Sequence, residues 1–368
     1  MDLSHPHRDL VALLPVLAVL LVLLTACAGA DEDAEETPTA AEQPTQAEAE
    51  VEAEVEVTIP AAGVELEGTL WLPDADGPST GVVIAHGSGP LSRRGELPGQ
   101  LGLTFPAPVP VYEELASGLR DAGAAVLTFD KRSCGPFNGC ADNSYPQPPE
   151  DLTFTAFVDD LAAVVDHLGA RDDVDEVVVL GHSKGGTVAT QLLAGGADLA
   201  GIALLATPVV GVPELLATQA ATLAELVAAA GQTGPQAQQA VGELEALAQQ
   251  VAEVADGAVD GPAIAGTSRA FWASWIAAAE DAPQVLVGTE VPVLVLGGGR
   301  DWNVPADQVT AWQAVVDRAE VVVLDDVTHA LTRLVQDDPA AITPGDVGTQ
   351  LAPEVLDALT AWLDALTS

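Results

Sequence analysis

The sequence predicts an α/β protein built on a doubly wound, mostly parallel sheet with helices on both faces. Short, continuously apolar runs rich in Val, Leu and Ile recur along the chain and alternate with runs of helical periodicity. Strands that are apolar on both faces and alternate with helices are typical of a parallel sheet covered on both sides. A glycine-rich turn at 181–186 joins one such strand to the next helix.

The strands and helices follow in a regular order from about Val57. The first segment, 64–72, alternates apolar and polar residues, which predicts an antiparallel strand. The later strand segments are mainly apolar and lie at 81–86, 124–130, 176–181, 200–207, 292–298 and 320–326. Apolar residues at helical spacing predict helices at about 111–122, 154–168, 185–194, 306–316 and 353–366.

One long segment, about 209–290, interrupts this alternation. It is rich in Ala, Gln and Leu, shows no strand pattern, and is divided by the turn residues of 231–235. An insertion between two strands lies above their carboxyl ends, where open α/β sheets bind ligands. We therefore expect a helical lid over a pocket; a peripheral helical addition is the alternative.

The N-terminus carries an export signal. Residues 10–26 form a nearly unbroken apolar run of 17 residues, followed directly by Cys27. Small residues before a cysteine, after an apolar core, resemble a bacterial lipoprotein signal, which implies that 1–26 is removed and that Cys27 takes the lipid. The resemblance predicts an extracytoplasmic protein anchored to the bacterial cell membrane. A plain signal peptide or a short anchor is the alternative.

An acidic segment separates this signal from the domain. Residues 27–56 contain many Asp and Glu, no Lys or Arg and no aromatic residue. Such a composition buries too little apolar surface to offset the entropy of ordering. We predict a disordered tether here, followed by a folded domain over 57–368.

The charge balance excludes several partners. Twelve Lys and Arg face 55 Asp and Glu, for a formal net charge of −43. Nucleic acids and anionic lipid head groups both require basic surfaces. Adaptation to high salt and the acidity of an ordinary secreted protein both account for the charge. Nothing in the sequence specifies an oligomeric state.

Two cysteines lie close together in the domain. Cys134 and Cys140 flank a loop rich in Gly, Pro and Asn. In an exported protein this spacing predicts a disulfide. Zinc binding is less favoured because no nearby His or third Cys completes a ligand set, and we expect no metal.

The strongest chemical signal is the segment Gly181-His182-Ser183-Lys184-Gly185-Gly186, between a predicted strand and a predicted helix. This context is the one in which a G-x-S-x-G motif presents a nucleophilic serine. Small residues on either side let the backbone turn sharply, and the helix N-terminus favours an anion nearby. Ser183 is therefore the candidate nucleophile.

With this motif the chain resembles the α/β-hydrolases of the bacterial serine esterase and acyl-peptidase type, over about residues 60–368. His86-Gly87-Ser88-Gly89-Pro90 resembles the oxyanion-hole motif of that superfamily. The segment 129–133 is similar to its [FY]-D-x-R-G turn, with Ser133 in place of the usual glycine. The resemblance implies an α/β-hydrolase fold with a helical lid and a Ser-Asp-His triad that needs no cofactor.

The other triad members follow from the superfamily order of serine, acid and histidine. His329 lies on a late loop after the strand at 320–326 and is the candidate base. Asp301 follows the strand at 292–298 in a pattern similar to the superfamily's, and is the candidate acid. Asp325 and Asp326 are rivals, but they end the strand that leads to His329 itself.

Two backbone N–H groups are expected to bind the oxyanion. One belongs to Lys184, whose side chain we expect to face solvent. The other comes from the 87–89 loop, with Ser88 the first choice. In the predicted lid, Phe271, Trp272 and Trp275 share one helical face, and Trp302 follows Asp301. These aromatic residues either line an acyl pocket or pack the lid onto the domain.

The leading hypothesis is a serine hydrolase that cleaves small-molecule carboxylic esters through an acyl-enzyme. A serine peptidase or amidase with the same triad is the first alternative. A non-catalytic surface lipoprotein on a hydrolase scaffold is the second, and the intact triad argues against it. The negative charge disfavours anionic substrates at low salt and thus favours neutral esters.

Overall fold

The computed structural model describes residues 54–75, 77–95, 109–134, 140, 152–231, 234–334 and 347–367. The predicted signal peptide (1–26), Cys27 and most of the predicted tether lie outside the described residues. Within the described part, no helix is both long and apolar enough to cross a membrane.

A mostly parallel sheet forms the centre of the domain. Its strands are β1 (Glu54–Ala61), β2 (Val64–Trp71), β3 (Ser79–Ala85), β4 (Ala125–Phe129), β5 (Val174–His182), β6 (Gly201–Leu205), β7 (Val293–Gly298) and β8 (Glu320–Leu324). Their order across the sheet is β1-β2-β4-β3-β5-β6-β7-β8. β1 and β2 pair antiparallel, as do β2 and β4, whereas the pairs from β4 to β8 are parallel. The predicted sheet is thus confirmed.

Helices cover both faces of the sheet. They are α1 (Val111–Asp121), α2 (Phe154–Gly169), α3 (Lys184–Ala194), α4 (Val212–Ala229), α5 (Pro235–Ala255), α6 (Arg269–Gly288), α7 (Ala306–Val315) and α8 (Pro353–Leu366). Successive strand residues point to opposite faces. In β5, Val178 and Leu180 pack towards α1 and α8, while Val177 and Val179 pack towards α2 and α3. This two-sided burial explains why the central strands are apolar throughout.

Strand β1 corrects the predicted start of the domain. It begins at Glu54 and pairs along its length with β2, so that the predicted tether, 27–56, extends three residues too far. Val55 and Val57 pack against the core, and Ile59 is buried. The prediction of a tether depended on the glutamates of this segment. In the structure they alternate with these apolar residues, which is the pattern of a strand with one buried face.

The three helices α4, α5 and α6 form the insertion predicted at about 209–290, between β6 and β7. α4 packs on α5, and α6 packs on α2 and α3. A short antiparallel pair, β9 (Thr332–Leu334) with β10 (Val347–Leu351), has no counterpart in the sequence prediction.

Candidate active site

Ser183 occupies a strained turn between β5 and α3. Its φ and ψ are 53° and −121°, a conformation that residues with side chains rarely adopt. A Cβ on Gly181 would lie 2.5 Å from the Cα of Gly186, and a Cβ on Gly185 would lie 2.2 Å from the carbonyl oxygen of Ala85. Only glycine fits these two positions, which explains the spacing of the motif. The turn presents Ser183 at the carboxyl edge of the sheet.

The predicted base and acid form a close pair. His329 Nδ1 lies 2.7 Å from Asp301 Oδ2, and the Asp301 side chain is fully buried. The other carboxylate oxygen accepts hydrogen bonds of 2.8 Å from the backbone N–H groups of Asn303 and Val304. Asp301 is therefore fixed in orientation, and it holds the imidazole with the proton on Nδ1, leaving Nε2 to accept a proton.

The structure brings Ser183 and His329 to the same cavity. No hydrogen bond joins their side chains in the part of the chain that is described. Catalytic hydrogen bonds of this kind are often loose in the absence of substrate and tighten when it binds. The three predicted triad residues thus converge from β5, the loop after β7 and the loop after β8.

The two predicted oxyanion donors border this cavity as well. Ser88 and Lys184 both line it. Lys184 is the first residue of α3, where helical N–H groups have no partner within the helix. The N–H of Gly87 is unsuited to the role because it donates a hydrogen bond of 3.1 Å to the Tyr112 hydroxyl.

A buried chain of hydrogen bonds links the two sides of the site. His182 Nε2 lies 2.8 Å from the carbonyl oxygen of His329, and its Nδ1 lies 2.9 Å from the Tyr112 hydroxyl. Because a carbonyl only accepts, Nε2 carries the proton and Nδ1 accepts from Tyr112. Burial lowers the pKa of His182 to about 3, so its ring is neutral. The sequence alone indicates no such role for Tyr112 or His182.

The cavity above Ser183 has a volume of about 250 Å³ and a mainly apolar lining. Helices α4, α5 and α6 provide much of that lining, including Leu215, Leu216 and Leu244. Of the predicted pocket residues, Trp272, Trp275 and Trp302 line the cavity. Among the described residues that line it, none is Asp or Glu.

The prediction that Phe271 lines the pocket is wrong, because Phe271 does not border this cavity. It is 5% exposed and packs against Phe154 and Phe157 of α2. Residue 271 therefore joins α6 to the domain, whereas Trp275, one turn later, faces the cavity.

The side chain of Lys184 is buried, contrary to the expectation that it faces solvent. Its Nζ lies 4.2 Å from the centre of the Phe157 ring and 5.5 Å from those of Phe271 and Trp275. Cation–π attraction stabilises an ammonium in such a setting. Burial lowers the pKa of Lys184 to about 8. Sequence reasoning missed this cluster because the rings come from two distant helices.

Cys134 and Cys140 are joined by a disulfide, with their Cα atoms 6.0 Å apart. The bond closes the loop that follows Lys131 and Arg132. The Arg132 guanidinium hydrogen-bonds through Nε to the buried carboxylate of Asp160 on α2, at 2.6 Å. The start of this loop is therefore tied to α2.

The chain is similar to proteins of known family and structure. A protein-family model described as serine aminopeptidase, S33, matches residues 109–333. Esterase EstD of Thermotoga maritima is 28% identical over 153 residues, which are 41% of this chain and 32% of that protein. The match thus spans about a third of the length of this curated relative.

Two solved structures share the fold. A thermostable carboxyl esterase from Bacillus coagulans has a TM-score of 0.54 and 16% identity, over 86% of this chain and 100% of that one. Est1E from Butyrivibrio proteoclasticus has a TM-score of 0.51 and 16% identity, over 85% and 98% of the two chains. At this level of identity, the likenesses establish the architecture.

Proposed function

The chain belongs to the serine aminopeptidase S33 family and has the α/β-hydrolase fold, and from this we propose that it is a serine hydrolase that cleaves carboxylic esters. The observation that supports the proposal most directly is the arrangement of three residues. Ser183, on its strained turn, shares a cavity with His329, whose imidazole is held by the buried carboxylate of Asp301.

In the proposed mechanism, Ser183 Oγ attacks the ester carbonyl carbon while His329 Nε2 takes the hydroxyl proton. Asp301 stabilises the resulting imidazolium. The negative carbonyl oxygen accepts hydrogen bonds from the N–H groups of Ser88 and Lys184. The tetrahedral intermediate then expels the alcohol, which takes the proton from His329, and leaves an acyl-enzyme.

Water completes the cycle in a second, matching step. His329 takes a proton from the water as its oxygen attacks the acyl carbonyl carbon. The second tetrahedral intermediate breaks the bond to Ser183 Oγ, which regains the proton from His329. A carboxylic acid leaves and the enzyme returns to its starting state. Each proton is passed between named protein atoms, water and substrate, so no metal or organic cofactor is required.

The cavity favours an uncharged substrate with an apolar acyl or alkyl part. Leu, Val and Trp provide eleven of the 26 described residues that line it. Covering apolar surface of a substrate with such side chains releases free energy. Trp275 and Trp302 border it from two different elements, α6 and the loop after β7. We propose that α4, α5 and α6 act as the lid that shapes this cavity.

An aminopeptidase with the same triad is the alternative that the family name raises. Such an enzyme must bind the positively charged amino terminus of a peptide, and a buried ammonium needs a paired carboxylate. The described lining contains no Asp or Glu, and Lys184 is its only Lys or Arg. This lining therefore favours a neutral ester over a peptide with a free amino terminus.

We also propose that the protein acts outside the cytoplasm, anchored to the bacterial membrane through a lipid on Cys27. The lipoprotein-like signal over 1–26 supports this proposal. So does the disulfide between Cys134 and Cys140, because structural disulfides persist in oxidising compartments.

The test is hydrolysis of p-nitrophenyl esters from acetate to palmitate by the full-length protein and by Ser183→Ala, at low and high salt. Alanine p-nitroanilide is the matched amide substrate. We expect ester turnover that is lost in Ser183→Ala, with little or no turnover of the anilide. Turnover of the anilide alone would support the aminopeptidase alternative. Ester turnover that survives Ser183→Ala would rule out the proposed nucleophile.

A further inference from the structure

We propose that Lys131 is a positioning residue that aims the backbone N–H of Ser88 at the oxygen of the reacting carbonyl. The inference rests on the proposed function, since it concerns the oxyanion donors of the same site. Lys131 follows Asp130 after β4 and is 3% exposed. It does not line the substrate cavity, and it acts through the 87–89 loop.

The Lys131 side chain hydrogen-bonds directly to this loop. Its Nζ donates hydrogen bonds to the carbonyl oxygens of Gly87, at 2.5 Å, and Gly89, at 2.7 Å. The N–H of Gly87 also has a partner, because it donates a hydrogen bond to the Tyr112 hydroxyl. Three polar groups of a glycine-rich segment are thereby fixed by two buried side chains. Without them, the two glycines would leave the segment free to adopt many conformations.

Because of peptide geometry, the hydrogen bond from Lys131 to the Gly87 carbonyl also sets the direction of the Ser88 N–H. The carbonyl of Gly87 and the N–H of Ser88 belong to one peptide unit, and the described chain contains no cis peptide bond. In a trans peptide the two groups point in opposite directions. Holding the Gly87 oxygen on the Lys131 side therefore turns the Ser88 N–H to the opposite side. The substrate cavity, which Ser88 lines and Lys131 does not, is the side that the proposal assigns to this N–H.

The hydrogen-bonding capacity of Lys131 matches an uncharged amine. Burial lowers its pKa well below the ordinary value, and the nearby Lys184 lowers it further. A neutral amine has two N–H donors and one lone pair. The two donors serve the carbonyl oxygens of Gly87 and Gly89.

Among the described residues, no carboxylate forms an ion pair with Lys131. Lys184 carries the positive charge of the pair and lies among aromatic rings. Asp160 borders the same small cavity as both lysines, but its carboxylate is bound by Arg132. His86, also at this cavity, has its pKa lowered to about 3 by burial and is neutral. A carboxylate in contact with Lys131 would compete with the two loop carbonyls for its donors.

The test compares Lys131→Met with the wild type on p-nitrophenyl butyrate and on a trifluoromethyl ketone, which forms a negatively charged tetrahedral adduct with serine. Removing an oxyanion donor outright lowers kcat by roughly 10²–10³-fold. Since the Ser88 N–H remains but loses its fixed direction, we expect kcat to fall by about 10–100-fold with KM nearly unchanged. The inhibition constant of the ketone should rise by a similar factor.

Two further variants separate positioning from a merely structural role. Val164→Ala, in the buried core on α2, should lower stability while leaving kcat and ketone affinity as in the wild type. Lys131→Gln keeps amide N–H donors, so its kcat should lie between those of Lys131→Met and the wild type. It also serves as the test protein if Lys131→Met does not fold.

The outcomes distinguish this inference from the proposed function. An active wild type whose kcat and ketone affinity are unchanged in Lys131→Met and Lys131→Gln would overturn the inference and leave the proposed function standing. A wild type without Ser183-dependent ester turnover would instead overturn the proposed function. A fall in kcat matched by a rise in the ketone inhibition constant supports both.

Discussion

The imidazole of His182 donates a hydrogen bond of 2.8 Å from Nε2 to the carbonyl oxygen of His329. The residue before the proposed nucleophile, Ser183, therefore holds the loop that carries the proposed base, His329. Tyr112 extends this connection, because its hydroxyl bonds to both His182 Nδ1 and the Gly87 N–H. The loops that carry the proposed nucleophile, the proposed base and the Ser88 donor are thus joined by one set of buried hydrogen bonds.

Replacing His182 with Phe should lower both activity and stability. The ring keeps its approximate size, but the His329 carbonyl and the Tyr112 hydroxyl each lose a buried partner. Leaving such groups unpaired costs about 1–3 kcal/mol each. We expect kcat to fall by about tenfold, because the His329 loop is no longer held, and the urea midpoint to fall as well. An unchanged kcat alongside a lower midpoint would show that the link is only structural.

Asp301→Asn should abolish most of the activity without disturbing the fold. The backbone N–H groups of Asn303 and Val304 both point at Oδ1 of Asp301, so the amide oxygen of the variant will occupy that position. Its NH₂ group then faces His329 Nδ1 and forces the ring proton onto Nε2. That tautomer cannot take the proton of Ser183, and we expect a loss in kcat of roughly 10³–10⁴-fold. An intact melting temperature together with near wild-type kcat would contradict this role.

Gly185→Ala tests the close contact between the turn at Gly185 and the backbone of Ala85. Its Cβ would lie 2.2 Å from the carbonyl oxygen of Ala85, and backbone atoms cannot move aside as a flexible side chain can. We expect a loss in the free energy of unfolding of about 2–3 kcal/mol and a large loss of activity, because the shift displaces Ser183.

Gly242→Ala is the matched control for that substitution. Gly242 lies within α5, and a Cβ there meets nothing within 4 Å. Alanine should raise the free energy of unfolding by about 0.5–1 kcal/mol through its better helix propensity, with activity unchanged. Urea unfolding and ester turnover of the two variants provide the comparison; equal effects would show that steric contact at Gly185 is unimportant.

Stability should fall as the pH drops below about 6.5, in part through His86. Burial lowers its pKa to about 3, so between these values the unfolded chain binds a proton that the folded chain does not. The contribution is absent above the unfolded pKa and grows as the pH falls towards the folded one. At pH 5 a shift of this size lowers the free energy of unfolding by about 2 kcal/mol relative to neutral pH.

His86→Gln isolates that contribution. Between pH 7.5 and pH 5, the wild type should lose about 2 kcal/mol more of its unfolding free energy than this variant does, as measured by urea titration. Parallel curves for the wild type and His86→Gln would exclude His86 as a source of the acid sensitivity.

The local parts of the site could be predicted from the sequence because their signals lie within a few residues. The turn around Ser183 requires glycines at fixed positions, and Asp301 and His329 each follow directly after an apolar strand. The strands themselves are recognisable because burial on both faces demands apolar residues throughout. The order β3-β5-β6-β7-β8 then places the three residues at one edge.

The parts that escaped prediction depend on contacts between distant segments. Lys184 is a cation in a glycine-rich turn, and such a side chain is expected to be exposed. Its burial follows from contacts with Phe157 and Trp275, which are distant in the sequence. Phe271 and Trp275 are one helical turn apart, yet α2 lies over the first and the cavity beneath the second. Helical periodicity identifies a shared face but does not identify what packs against each position along it.

The burial of both lysines has a practical consequence. Lys131 and Lys184 are the only lysines in the sequence, and they are 3% and 6% exposed in the fold. Succinimidyl dyes and amine-reactive supports will therefore meet no lysine side chain on the native domain. Labelling of these two residues requires the domain to open, so the rate of their acylation reports how often the native structure unfolds.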